Sequence, residues 1–271
     1  MNANGVETSG GLCVITAADI EFKTVAKLLP ASTPVAENGV RVLRGHYGER
    51  QVTVLKTEIG AVGFADRLRA HLAQSGYAAL VVIGLAGALD PALRTGDVVL
   101  YDHCLDGRKL EAAVHGGKLE SSSVPEAIGK ISCDTGLGQK LFAGLGKQGL
   151  HCLRGTGLLV ARVVIEAGQK RALYEQTKAV AVDMESYLVL ATATEFRLPC
   201  AAVRVVMDEA ATDLPDFNAG LDAVGRMRVW PTLRALAGRP RATLQFLGTL
   251  NPALRNLTHA TQAVFNLLNS R

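Results

Sequence analysis

Short runs of almost wholly apolar, β-prone residues recur along this chain, and stretches with helical spacing lie between most of them. The runs are 12–16, 80–84, 97–101, 153–160, 179–182 and 199–207, and helical spacing marks 19–29, 62–74, 137–148, 168–176 and 184–196. A strand that is apolar at every position must be covered on both faces. Helices between strands supply that cover, so the alternation predicts a mostly parallel or mixed α/β sheet. Residues 40–47 and 51–57 instead alternate like the arms of a hairpin joined near Gly48 and Glu49, after a loop over 30–39. Asp19 is placed to cap the first helix. Gly84-Leu-Ala-Gly-Ala88 reads as a small-residue turn, and the polar, Gly/Ser-rich segment 105–130 as a surface excursion. No internal repeat is visible.

Composition narrows the class. With 271 residues, 48% apolar and 20% charged, the chain is globular and long enough to bury a core without staples. One large α/β domain is expected over 12–222, after a flexible N-terminus at 1–11 and before a distinct segment at 223–271. The five cysteines are odd in number and contain no C-x-x-C pair. That disfavours a disulfide framework or a four-thiolate zinc site and suits a reducing cytosol. The opening MNANGVETSG is polar and lacks a basic n-region, so it does not read as a signal peptide. The longest uncharged apolar run, 78–89, is too short to span a bilayer. G-x-G-x-x-G, Walker A, H-E-x-x-H and G-x-S-x-G motifs are absent, and six histidines are scattered without ligand spacing. A metal or triad hydrolase is therefore disfavoured, and no metal site is expected.

The tail differs in kind. After Asp222 there are seven arginines and no acidic residue, whereas residues 1–222 carry 22 basic against 25 acidic residues, a net of −3. Leu254, Leu257, Thr261, Val264 and Leu268 share one helical face, Phe246, Leu247 and Leu250 cluster before them, and Pro231, Pro240 and Pro252 stand where helices can begin. Two or three basic amphipathic helices are expected. They either form a solvated appendage, dock on the core or a partner subunit, or lie in a membrane interface. Nothing in this pattern calls for nucleic acid.

Three acids stand at strand ends or helix starts: Glu21 after the first strand, Glu185 in Ala181-Val-Asp-Met-Glu-Ser186, and Asp208 at the end of Ala201-Ala-Val-Arg-Val-Val-Met-Asp208. Ligands of α/β sheets bind at the carboxyl ends of strands. Each acid also has a bland reading. Glu21 and Glu185 fit exposed first-turn acids that complement a helix dipole. Asp208 fits a helix cap or a salt-bridge partner of Arg204.

In their order and combination these residues resemble the superfamily of purine nucleoside phosphorylases and methylthioadenosine/S-adenosylhomocysteine nucleosidases. The resemblance spans 12–210 and rests on five blocks: Val14-Ile-Thr-Ala-Ala-Asp-Ile-Glu21; Lys56-Thr-Glu-Ile-Gly60; the stretch from Gly84 to Val99 with its L-x-x-G-D-V-V ending; Ala181 to Ser186, similar to a ribose-binding V-E-M-E block; and Val203 to Asp208, similar to a V-R-x-x-S-D strand. The tail, with Leu233-Arg-Ala-Leu-Ala-Gly-Arg-Pro240, is similar to a subgroup associated with hopanoid biosynthesis. There the implied substrate is adenosylhopane, a nucleoside joined to a membrane triterpenoid.

The resemblance implies a nucleoside phosphorylase-like mixed sheet covered by helices, a C-terminal amphipathic extension, a homo-oligomer, and cleavage of an N-glycosidic bond. Asp208 would protonate the purine at N7, which needs a carboxyl with a raised pKa. Glu185 would accept the ribose hydroxyls, with Met184 against the sugar. Glu21 would activate water, and Ala86 and Gly87 would let backbone approach the ligand. Related nucleosidases usually carry serine where this chain has Leu85 and Met207, so the site here is more apolar and suits a greasy 5′-group. No cofactor is implied beyond inorganic phosphate as an alternative co-substrate, for which Arg41, Arg44 and Arg162 are the candidates. Water and phosphate both stay open as nucleophile. Alternative readings are a soluble methylthioadenosine/S-adenosylhomocysteine nucleosidase, a general purine nucleoside phosphorylase, and a non-catalytic nucleoside binder. A cytoplasmic protein is expected, with 231–271 able to bring it to the inner face of the membrane.

Overall fold

The computed structural model describes residues 10–30, 32–58, 63–115, 128–222 and 227–269. The elements run β1 (Leu12–Thr16), α1 (Asp19–Ala26), β2 (Val35–Glu37), β3 (Val40–Tyr47), β4 (Arg50–Lys56), α2 (Phe64–Leu72), β5 (Ala79–Ala88) and β6 (Val98–Asp106). Then follow α3 (Arg108–His115), β7 (Lys130–Ser132), α4 (Thr135–Lys147), β8 (Cys152–Leu159), α5 (Ala167–Thr177), β9 (Ala181–Asp183), α6 (Ser186–Glu195) and β10 (Cys200–Asp208). A short 3-10 turn (Phe217–Gly220) precedes α7 (Val229–Gly238) and α8 (Pro240–Asn269).

The strands form one mixed sheet in the order β10-β6-β8-β9-β5-β1-β4-β3-β2, with β7 on β6. β10 also pairs with β5, so β5, β10, β6, β8 and β9 close into a ring. β1 lies parallel between β4 and β5, and β5 parallel to β10, while β3 and β4 form the expected antiparallel hairpin. The apolar strands are buried on both faces for the reason their sequence gave. In β1, Leu12 and Val14 enter one core with Val203, Val205 and α8, whereas Cys13 and Ile15 enter a second with Phe64 and Leu68 of α2.

Several local expectations are corrected. The N-cap of α1 is Ala18, with Asp19 already helical; Glu21 reaches back to accept from the Ala17 and Ala18 N–H groups, 2.9 Å each, and so caps the helix in place of Asp19. The 30–39 loop contains β2. Segment 105–130 contains α3, and its residues 116–127 lie outside the described ones, as do residues 1–9, Gly60, Val62, Arg226 and Arg271. Gly84 to Ala88 is no turn but the second half of β5, paired with β10. Its small residues serve close approach: a Cβ on Gly84 would stand 2.5 Å from Glu21 Oε1 and 2.7 Å from Arg204 Nη1.

The tail forms two helices, and Pro252 sits inside α8 rather than starting a helix. The lost backbone donor is tolerated because the turns beyond it are held by packing. Leu257, Val264, Phe265 and Leu268 enter the first core, each contributing about 1.5–3 kcal/mol by area burial. Asn256 Nδ2 also donates to the Gly96 carbonyl at 2.8 Å. The C-terminal half of α8 is thus core, not appendage.

Candidate active site

Glu21, Glu185 and Asp208 come from positions up to 187 residues apart and line one cavity of about 360 Å³. Leu85, Ala86, Gly87, Met184 and Met207 line it too. Arg41, Arg44 and Arg162 do not. Arg41 faces Asp19 at 3.4 Å, Arg44 is paired with Glu37, and Arg162 lies 3.3 Å from Glu111. Among the described residues lining the cavity there is no lysine or arginine.

Each acid is fixed by backbone or by a buried cation. Glu21 is 4% exposed, which sets aside the exposed first-turn reading. Its Oε2 takes the two N–H groups at the start of α1, and its Oε1 takes the Leu85 N–H of β5 at 2.7 Å. Three N–H donors hold this carboxylate in one orientation. Glu185 precedes α6 instead of lying within it, and Asp183 pins the entry to that helix: its Oδ1 accepts from the Glu185 and Ser186 N–H groups at 2.9 and 2.7 Å.

Arg204 joins these acids from beneath. It is 1% exposed; its Nε donates to Ser186 Oγ at 3.0 Å, and its Nη2 lies 3.1 Å from Asp183 Oδ1 and 3.5 Å from Glu185 Oε2. Burial opposes its charge, but Asp183 and Glu185 outweigh that and hold the guanidinium above its ordinary pKa.

Asp208 does not pair with Arg204. Its partner is Lys170 of α5, whose Nζ donates to Asp208 Oδ2 at 2.6 Å, to the Thr212 carbonyl at 2.7 Å and to the Glu209 carbonyl at 3.1 Å. Three acceptors match the three N–H groups of a fully buried ammonium. Burial pushes the Asp208 carboxyl above its usual range, against the pull of Lys170. Gly87 leaves room for that carboxylate, since a Cβ there would lie 3.1 Å from Asp208 Oδ2.

Sequence reasoning missed Lys170, Asp183 and the role of Arg204. An arginine in the otherwise apolar run 200–207 was a visible signal for a buried counter-charge. Lys170 gave none, because one lysine on an amphipathic helix looks like any solvated one. The apolar lining was missed as well. Leu214, Phe217, Leu221, Met227, Phe246 and Leu250 reach the cavity from the segments after β10, and the Phe217 and Phe246 rings meet at a tilt with centroids 4.8 Å apart.

This geometry can hold a ligand whose polar part meets carboxylates and whose remainder meets aliphatic and aromatic side chains. Comparison with known proteins agrees with the architecture. A 5′-methylthioadenosine/S-adenosylhomocysteine nucleosidase of Marinomonas sp. (strain MWYL1) is 30% identical over 175 residues, 63% of this chain and 74% of that protein. The structure of a futalosine hydrolase of Helicobacter pylori strain 26695 superposes with a TM-score of 0.70 at 17% identity, covering 95% of this chain and 97% of that one. A nucleosidase of the same methylthioadenosine class from Neisseria meningitidis, in complex with methylthio-immucillin-A, gives a TM-score of 0.70 at 17% identity over 96% and 99% of the two chains. These two superpositions speak for the fold. The sequence pattern of the Phosphorylase superfamily matches residues 12–226, and with that span the chain belongs to this superfamily of glycosyl-bond-cleaving enzymes.

Proposed function

We propose that the protein cleaves the N-glycosidic bond of a 5′-substituted adenosine and releases adenine. The convergence of Glu21, Glu185 and Asp208, with Asp183 beside them, on one cavity whose other walls are mostly apolar supports this reading. As the C1′–N9 bond breaks, its electron pair moves to the purine and Asp208 gives a proton to N7. Glu185 accepts the ribose hydroxyls, with Met184 against the sugar, and its charge stands where positive charge develops. Glu21 takes a proton from water as the water oxygen bonds to C1′. Ala86 and Gly87 admit the ligand close to the backbone of β5. The lack of a cation among the described lining residues favours water over inorganic phosphate.

The preferred substrate is adenosylhopane. Leu85, Met207 and the aromatic and aliphatic side chains from 214–250 give an extended apolar 5′-group a dry surface. A peripheral membrane contact through the tail and a homo-oligomeric assembly belong to the same reading. A second reading, a nucleosidase of soluble methylthioadenosine or S-adenosylhomocysteine, is favoured by the 30% identical relative. The test is adenine release from adenosylhopane, 5′-methylthioadenosine, S-adenosylhomocysteine and adenosine, each with and without phosphate. Turnover without phosphate and a preference for the long apolar 5′-group are expected. A strict phosphate requirement, or no release from any of them, would overturn the reading.

Lys170 acts through Asp208 as a positioning residue. Because Lys170 draws the Asp208 pKa down while burial raises it, Lys170→Met is expected to move the alkaline limb of kcat/KM to higher pH. Lys170→Arg should retain the native profile. An unchanged alkaline limb in Lys170→Met would instead show that Lys170 does not act on the Asp208 proton. The same raised pKa has a stability consequence. Asp208 favours the folded state below the ordinary carboxylate range, and that contribution is lost as pH rises through its folded value.

A further inference from the structure

Eight large apolar side chains are exposed among the described residues, and six of them, Met227, Val229, Trp230, Leu233, Leu244 and Leu247, fall between 227 and 247. Trp230 is 81% exposed, Leu244 71% and Val229 69%. Met227 lies just before α7, and the other five sit on α7 and the first turns of α8, which pack on each other and, through α7, on the 3-10 turn at Phe217–Gly220. Arg228, Arg234, Arg239 and Arg241 are exposed on the same two helices. Arg239 stands 3.9 Å from Glu166, outside the tail, because no carboxylate follows Asp222. Met227, which borders both patch and cavity, lines the cavity together with Phe246 and Leu250 of α8. The exposed patch therefore adjoins the apolar part of the site.

We infer that α7 and the first turns of α8 form a docking surface for an anionic lipid bilayer. Aromatic and aliphatic side chains ringed by arginines suit the headgroup boundary, where tryptophan concentrates and each nearby cation adds to the attraction of anionic lipid. A second copy is the rival occupant. A symmetric interface through this patch would bring the same arginines of two copies together, with no acidic residue of the tail between them. Charge complementarity thus selects the bilayer. Docking is read from the exposed residues alone; that the bilayer delivers the nucleoside's apolar group rests on the function proposed above.

Truncating the tail is no fair test, since the end of α8 is core. Trp230 is the only tryptophan of the chain, so its emission reports this patch directly. The full chain should float with vesicles of phosphatidylglycerol and phosphatidylcholine and show a blue-shifted emission. Phosphatidylcholine alone, or high salt, should weaken binding about tenfold or more. Leu233→Glu/Leu244→Glu and Arg228→Glu/Arg234→Glu should each lose vesicle binding by a similar factor, while adenine release from soluble 5′-methylthioadenosine stays within about twofold of the parent. Equal flotation of parent and variants, or none by the parent, overturns the inference. So does a blue shift that appears without vesicles as protein concentration rises and tracks dimer formation, because the patch would then be a self-interface. Vesicle binding needs no substrate, so it can fail while the glycosidic reading holds, and the reverse.

Discussion

Asp208→Asn is expected to slow adenine release by about 10²–10⁴-fold, mostly in kcat. Asparagine matches the shape of the carboxylate and can still accept from Lys170 through its carbonyl oxygen. It cannot give a proton to N7 of the leaving purine, so the developing negative charge stays on the base. Substrate contacts elsewhere in the cavity are untouched, and KM should change little. Quantifying adenine by chromatography under single-turnover conditions isolates the bond-breaking step. Unchanged release would remove Asp208 from the mechanism. The change leaves Lys170 without its anionic partner, so thermal unfolding of the variant should accompany the kinetics to show that the rate loss occurs in folded protein.

Arg204→Met is expected to cost about 3–5 kcal/mol of stability, the largest loss foreseen for any single change here. Its guanidinium lies within 3.5 Å of the Asp183 and Glu185 carboxylates, and all three side chains are buried. Methionine fills much of the volume but takes the guanidinium away from both carboxylates. One of them must then take up a proton or draw in water. The loss should appear as a lower urea midpoint with an unchanged denaturant slope. Adding Asp183→Asn to the variant should recover part of the loss, because it removes one of the uncompensated charges. A loss below about 1 kcal/mol would mean that desolvation and attraction nearly cancel in this cluster.

Much of the scaffold was legible from residue order because strands buried on both faces leave an unmistakable imprint. Residues 12–16, 40–47 and 199–207 announced β1, β3 and β10 almost to the residue. Errors fell where a local rule met a tertiary demand. Gly84 and Gly87 looked like turn residues, but they are strand residues kept small by the Glu21, Arg204 and Asp208 side chains crossing beside them. Pro252 looked like a helix start, but packing of the following turns carries α8 through it. Arg41, Arg44 and Arg162 looked available for an anion, but nearby carboxylates already engage them.

By itself the sequence determined the class of sheet, the three acids at strand ends and helix starts, and the basic character of the tail, because each depends on periodicity or composition within a short window. Only the tertiary structure decided which cation serves which acid, that the cavity is walled by residues arriving from 214–250, and that one half of α8 is core while the other is exposed. Those outcomes depend on distances between residues far apart in the chain, and desolvation at each site sets their energy. A single sequence encodes neither in any local pattern.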